Sequence, residues 1–140
     1  AHELFTLENK NHHIGMGMIG ELEDPMSETD FLTFVKQTMK CEIIRHSKQL
    51  EHPIKKVAVL GGSGSFAISA AKAAGADAFV TSDLKYHDFF RAENQILLMD
   101  IGHYESEQYT KNLLASYLKK KIPNFAVLLS KINTNPVKYK

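Results

Sequence analysis

The sequence predicts an α/β fold, with a largely parallel or mixed sheet and helices packed on it. Two observations predict it. Short β-branched and apolar runs such as Lys56-Val57-Ala58-Val59-Leu60 and Ile96-Leu97-Leu98-Met99 alternate with segments of helical period. The connections between them are short and punctuated by Gly, Pro or Asp, which is the pattern of strands joined by crossover helices. With 140 residues, 44% hydrophobic and 24% charged, the chain suits one domain around one core.

Each element has its own signal. His13 to Leu22 is a strand interrupted by Gly15, Gly17 and Gly20, where glycine permits close backbone approach. Asp24-Pro25 stops it. Ser27 with Asp30 three residues later resembles a capping box, and Phe31, Leu32, Phe34, Val35 and Met39 recur at helical spacing, so a helix spans about 28 to 40. Cys41 to His46 reads as a short strand and Lys56 to Leu60 as a buried one. The glycine loop 61 to 65 follows, then an Ala-rich helix from Ala67 to Ala74 ended by Gly75. Ala78 to Thr81 is a strand, Leu84 to Ala92 a helix, and Ile96 to Asp100 a strand. Gly102 leads into one long helix over Tyr104 to Lys120, which Pro123 terminates, and Phe125 to Leu129 forms a last strand before a polar tail.

Composition excludes several classes of function. Seventeen Lys and Arg against sixteen Asp and Glu give a charge of +1, too little to concentrate nucleic acid or anionic lipid. The six lysines of positions 119 to 140 include Lys119, Lys120 and Lys121, which suit a helix C-terminus without invoking a binding patch. One cysteine, Cys41, forms no internal disulfide and fits a reducing, cytoplasmic compartment. No apolar run reaches the ~18 residues of a membrane span, and no secretory signal opens the chain. The chain starts without Met, directly into Leu4-Phe5-Thr6-Leu7, so it reads either as a piece of a longer polypeptide or as a chain whose Met was removed.

Ligands of open α/β sheets gather beyond the carboxyl ends of the strands. Three segments emerge there: 61 to 65, 81 to 88 and 101 to 107. On a continuous final helix at ~100° per residue, His103 and Glu107 top the stripe formed by Leu113, Leu114, Tyr117 and Leu118. An imidazole and a carboxylate one turn apart converge on a divalent ion, or else bond to one another or to a strand carbonyl. Asp83 reads as the N-cap of the next helix, and His87 as either a proton donor or an ordinary half-buried histidine. The glycine loop lacks the Lys of a Walker loop. His12-His13 reads as an exposed turn, and Cys41 has no activating cluster near it in sequence.

Taken together, several stretches resemble the YbgI-like (Nif-three-like) family, also labelled GTP cyclohydrolase I type II homologues. They are Leu7 to Lys10 with Gly15 to Leu22, Gly61 to Gly64, Ala76-Asp77 leading to Thr81-Ser82-Asp83-Leu84-Lys85-Tyr86-His87, Asp100-Ile101-Gly102-His103-Tyr104-Glu105-Ser106-Glu107, and Thr134-Asn135-Pro136-Val137. The resemblance implies a two-metal site in which His103 and Glu107 are the C-terminal ligands, and a mixed His and carboxylate set accepts iron, zinc or manganese. It implies His87 near the same cleft as proton shuttle, a metal-dependent hydrolase-type activity on a small molecule, and a toroidal hexamer. Ser82 stands where the family usually has Gly. The family's other ligands belong to an N-terminal half that nothing here matches, so residues 1 to 140 read as a single lobe with a half-site, partnered by the missing N-terminal lobe. The competing class is a non-enzymatic assembly or regulatory module with a structural His-Glu pair.

Overall fold

A computed structural model of the chain describes residues 2–6 and 15–140. The expectations on His12-His13 and on Leu7 to Lys10 lie outside the described residues. The chain divides into two compact units, Ala1–Ser106 and Glu107–Lys140.

The first unit is built on a six-stranded mixed sheet. Its strands are β1 (His2–Thr6), β2 (Gly15–Met26), β3 (Arg45–His46), β4 (Ile54–Ser63), β5 (Ala78–Ser82) and β6 (Leu97–Asp100), in spatial order β1-β2-β4-β5-β6-β3. β4, β5 and β6 run parallel, while β1, β2 and β3 each join antiparallel to a neighbour. The mixed form of the predicted α/β fold is therefore the one realised.

Both faces of the central strands are covered, which is why they read as unbroken apolar runs. All five residues of β5 and all four of β6 are buried. Phe79 and Leu98 pack on one face with Ile68, Ala71 and Leu84; Ala78, Val80, Leu97 and Met99 pack on the other with Phe31 and Val35. The second of these faces is closed by α1 (Glu28–Met39). Ser27 caps α1, its Oγ accepting from the Asp30 amide at 3.1 Å and donating to the Asp30 carboxylate at 2.6 Å. Buried Glu28 ties the same helix end to the chain at 50–51 by accepting from the amides of Leu50 and Glu51.

Several elements differ from expectation, each for a local reason. β2 runs through Pro25 to Met26 because the register shifts between Glu21 and Met26, so the proline falls where the ladder is interrupted. Strand 41–46 shrinks to Arg45–His46: Lys40 turns left-handed at the end of α1 and sends Cys41 into the core beneath that helix. Residues 61–63 of the predicted glycine loop are instead the end of β4, with Gly62 at φ +71° inside a bulge between Val59 and Ser63, and only Gly64 separates the strand from the next turn. The Ala-rich helix is a 3₁₀ turn at Ser65–Ala67 followed by α2 (Ile68–Ala73), and Tyr86–Ala92 is 3₁₀ throughout.

The long final helix is broken in two. α3 (His103–Glu107) ends at the boundary of the first unit, turns occupy 108–109, and α4 (Thr110–Lys121) belongs to the second unit. The second unit has Lys119, Lys120 and Lys121 in the last turn of its helix, as their interaction with the helix dipole favours. Residues 125–129 form no strand; the stretch beyond α4 is irregular, with side-chain turns such as Asn133 Oδ1 accepting from the Asn135 amide at 2.8 Å.

Candidate functional site

β5 and β6 are adjacent and parallel, with Thr81 opposite Asp100, so the segments that leave their carboxyl ends start side by side. Asp83 lies two residues beyond Thr81, in left-handed backbone at φ +57°. His103 lies three beyond Asp100, after Gly102 at φ +90°. The two side chains meet: His103 Nδ1 is 2.5 Å from Asp83 Oδ2. A carboxylate only accepts, so Nδ1 is the donor of this bond, and in the neutral ring the lone pair is then on Nε2. Both groups are about half exposed, at 54% for His103 and 44% for Asp83.

Asp83 is thus not the cap that the sequence predicts. Lys85 occupies the cap position, and its amide donates to the Asp88 carboxylate at 2.8 Å. The left-handed turn at Asp83 aims its carboxylate toward α3 instead.

The turns on either side of this pair are braced from within. Asp100 is buried; its Oδ2 accepts from the Leu84 amide at 2.9 Å and its Oδ1 from the Gly102 amide at 3.1 Å. Arg45, from β3, pairs with the same carboxylate at 2.5 Å, donates to the Leu84 carbonyl, and lies 5.4 Å over the Phe89 ring. Ser106 forms a second brace: its Oγ accepts from the Gly62 amide at 2.9 Å and donates to the His103 carbonyl at 2.8 Å. Ser82 donates to the Gly62 carbonyl at 2.6 Å. The glycine-rich segment therefore spends its Gly62 amide on α3, which argues against a phosphate cradle there.

The predicted site residues fare differently. His103 stands at the sheet's carboxyl end, but exposed, not on top of a buried stripe. Glu107 is exposed too, and Leu113, Leu114, Tyr117 and Leu118 are between 41% and 71% exposed. The break at 108–109 removes the continuous helical phase on which that stripe depended. Glu107 is the last residue of α3 and the first of the second unit. His87 is exposed on the 3₁₀ segment, with its ring 5.2 Å from that of Tyr86 and 6.4 Å from that of Phe90. Among the described residues, no group of three or more His, Cys, Asp and Glu comes together. Sequence reasoning missed Asp83 as the partner of His103 and Arg45 as a brace, and it picked out Asp100 and Ser106 only as members of the stretch 100–107, without a role for either. The signal available was that Asp83 and Asp100 stand at or just beyond the carboxyl ends of two predicted strands.

The comparisons with known proteins bear on the family and the fold. Residues 2–136 match the family described as Duf34/NIF3 (NGG1p interacting factor 3). The chain belongs to the Duf34/NIF3 family. A Staphylococcus epidermidis protein named GTP cyclohydrolase 1 type 2 homolog is 39% identical over 140 residues, covering 97% of this chain and 38% of its own length. A Listeria innocua protein of the same name is 29% identical over 147 residues. The chain thus spans about two fifths of the curated relatives it matches. Among solved structures, a Bacillus cereus protein related to NIF3 superposes with a TM-score of 0.78 at 33% identity, over 96% of this chain and 38% of that one. This Duf34/NIF3 chain shares their fold.

Proposed function

We propose that this chain contributes His103 and Glu107 to a two-metal site of a metal-dependent hydrolase, with His87 as the proton shuttle. The observation that carries the reading is the hydrogen bond between His103 Nδ1 and Asp83. Metal-binding histidines characteristically donate their second ring nitrogen to a carboxylate, which fixes the tautomer and makes the other nitrogen a better donor. Asp83 holds His103 in that form and turns Nε2 to the ligand role. Glu107, four residues on, supplies a carboxylate oxygen by spacing along the chain.

An imidazole and a carboxylate suit iron, zinc or manganese. Two side chains are too few for a catalytic centre, which takes about three protein ligands or more, so the remaining ligands come from residues other than these. When bound, the ions lower the pKa of water and make it a nucleophile near neutral pH. The chain's own task is to orient: Asp83 sets the ring, and His87, on the segment just beyond the same strand end, accepts and returns a proton. The substrate is a small molecule whose identity these residues do not specify. We extend the proposal to a homo-oligomer, a hexamer, supported by the exposed apolar side chains of α4, and to a cytoplasmic location, supported by the lone reduced thiol of Cys41.

Calorimetric titration with Zn²⁺ and Mn²⁺ tests the site. His103→Ala is expected to abolish measurable binding, and Asp83→Asn to weaken it roughly 10- to 100-fold, with fewer than two ions per chain in the parent. Two tightly bound ions per chain would refute the half-site. Unaltered affinity in His103→Ala, Glu107→Ala together with a sharp fall in Tm marks a structural pair instead.

A further inference from the structure

We infer that Asp100 is the positioning residue of the site, a single buried carboxylate that sets Asp83 and His103 against one another. The inference rests on the reading of His103 as a ligand and goes beyond it, to what determines the ring's orientation.

The Asp83–His103 bond joins two separate connections, one after β5 and one after β6. Asp83 lies in an irregular turn and His103 is the first residue of α3, and each connection bends through left-handed backbone, at Asp83 and at Gly102. Something must hold the two turns in register. Asp100 does so with one oxygen on each: Oδ2 accepts from Leu84, the residue after Asp83, and Oδ1 from Gly102, the residue before His103. Arg45 completes the clamp, since its guanidinium pairs with Asp100 Oδ2 and also donates to the Leu84 carbonyl. Leu84, the residue next to Asp83, is thus gripped at both its amide and its carbonyl. The carboxylate is 6% exposed, and every partner it has serves these two turns or the arginine that grips one of them.

A purely architectural role for Asp100 predicts lost stability and nothing specific at His103. A positioning role predicts a change in the ring itself. The test is nuclear magnetic resonance on the ¹⁵N-labelled chain at about pH 8, where an ordinary imidazole is neutral. Two-bond correlations from the carbon-bound ring protons report which nitrogen carries the proton, with His103 assigned by its loss in His103→Gln. The parent is expected to show His103 protonated on Nδ1. In Asp100→Asn, where the amide group keeps one acceptor oxygen and loses the other, that pattern should give way to the averaged one of a freely rotating ring, while the backbone amides of β5 and β6 keep their native dispersion. A folded Asp100→Asn with an unchanged His103 pattern overturns the inference, as does a parent His103 not protonated on Nδ1.

Should Asp100→Asn fail to fold, Arg45→Met removes one half of the clamp through a half-exposed side chain; a partial shift toward the averaged pattern supports the inference and none overturns it. Zinc titration of the same variants separates the two readings. Asp100→Asn is expected to bind roughly 10- to 100-fold more weakly. If His103→Gln binds zinc as the parent does, the metal reading falls, and the ring pattern still decides for or against Asp100.

Discussion

Cys41 shows how little a residue's type says until its surroundings are known. It lies in the core beneath α1 beside Phe31 and Val35, and burial, aided by the charge of Glu105 and opposed by Lys36, pushes its thiol up to about 11 from an ordinary 9.0. The thiol is therefore neutral and inert near pH 8, and a disulfide reagent is expected to label it only on unfolding. Because the folded value is the higher one, the thiol's contribution to stability is complete below pH 9.0 and fades as the pH rises from 9.0 to about 11. Its size is on the order of 2–3 kcal/mol. Urea midpoints measured from pH 8 to 11 should fall more steeply in the parent than in Cys41→Ala; parallel curves would contradict this. At the same scale, His103 and Glu107 stood out in the sequence because their spacing puts both at the top of one apolar stripe if the final helix is continuous. Asp83 stood out for the wrong reason, since a capping carboxylate and a histidine-orienting one are the same side chain until the backbone turns left-handed.

The elements were legible in proportion to how local their causes are. α1 was readable because its cap, Ser27 with Asp30, and its apolar period lie within its own residues. β5 and β6 were readable as apolar runs because a sheet covered on both faces leaves no polar alternation. The break after Glu107 was not: residues 103 to 120 carry no Gly or Pro, so period alone continues the helix through the turns that the chain makes at 108–109. Nor was the end of β4, where glycines that suggested a loop instead permit a bulge and a close approach. That approach is testable. A methyl group on Gly64 would lie 2.0 Å from Thr81 Oγ1 and 3.0 Å from Thr81 Cβ, and the stiff threonine is held by its bond to the Gly62 carbonyl. Gly64→Ala is expected to cost about 1–3 kcal/mol by overpacking, read as a lowered denaturation midpoint in urea, while Gly75→Ala meets no neighbouring atom and suffers only from its left-handed backbone.

For the molecule as a whole, the resemblance carried by 102–107 and 81–87 led to the family, whereas composition and period reached only the fold class. The large exposed apolar residues of α4, Leu113, Leu114, Tyr117 and Leu118, exceed what an isolated polar helix presents. They are expected to be covered by self-association. Sedimentation of the chain at tens of micromolar should show a species larger than a monomer, and Leu114→Glu with Leu118→Glu should dissociate it; a monomeric parent would count against the proposed assembly.

The two-residue strand β3 has a bearing on this that concerns misassociation. β6 is wholly buried and apolar up to Asp100, and without a neighbour on its far side its row of amides and carbonyls would be a template for another chain's strand. Arg45 and His46 close that row for two residues. Ser47 carries it further in two ways, its amide donating to the Leu98 carbonyl at 3.0 Å and its hydroxyl accepting from the Leu98 amide at 2.9 Å. The arginine that braces the turns around His103 is thus also part of the seal on the β6 border of the sheet, so the same few residues serve strand pairing and the alignment of the histidine.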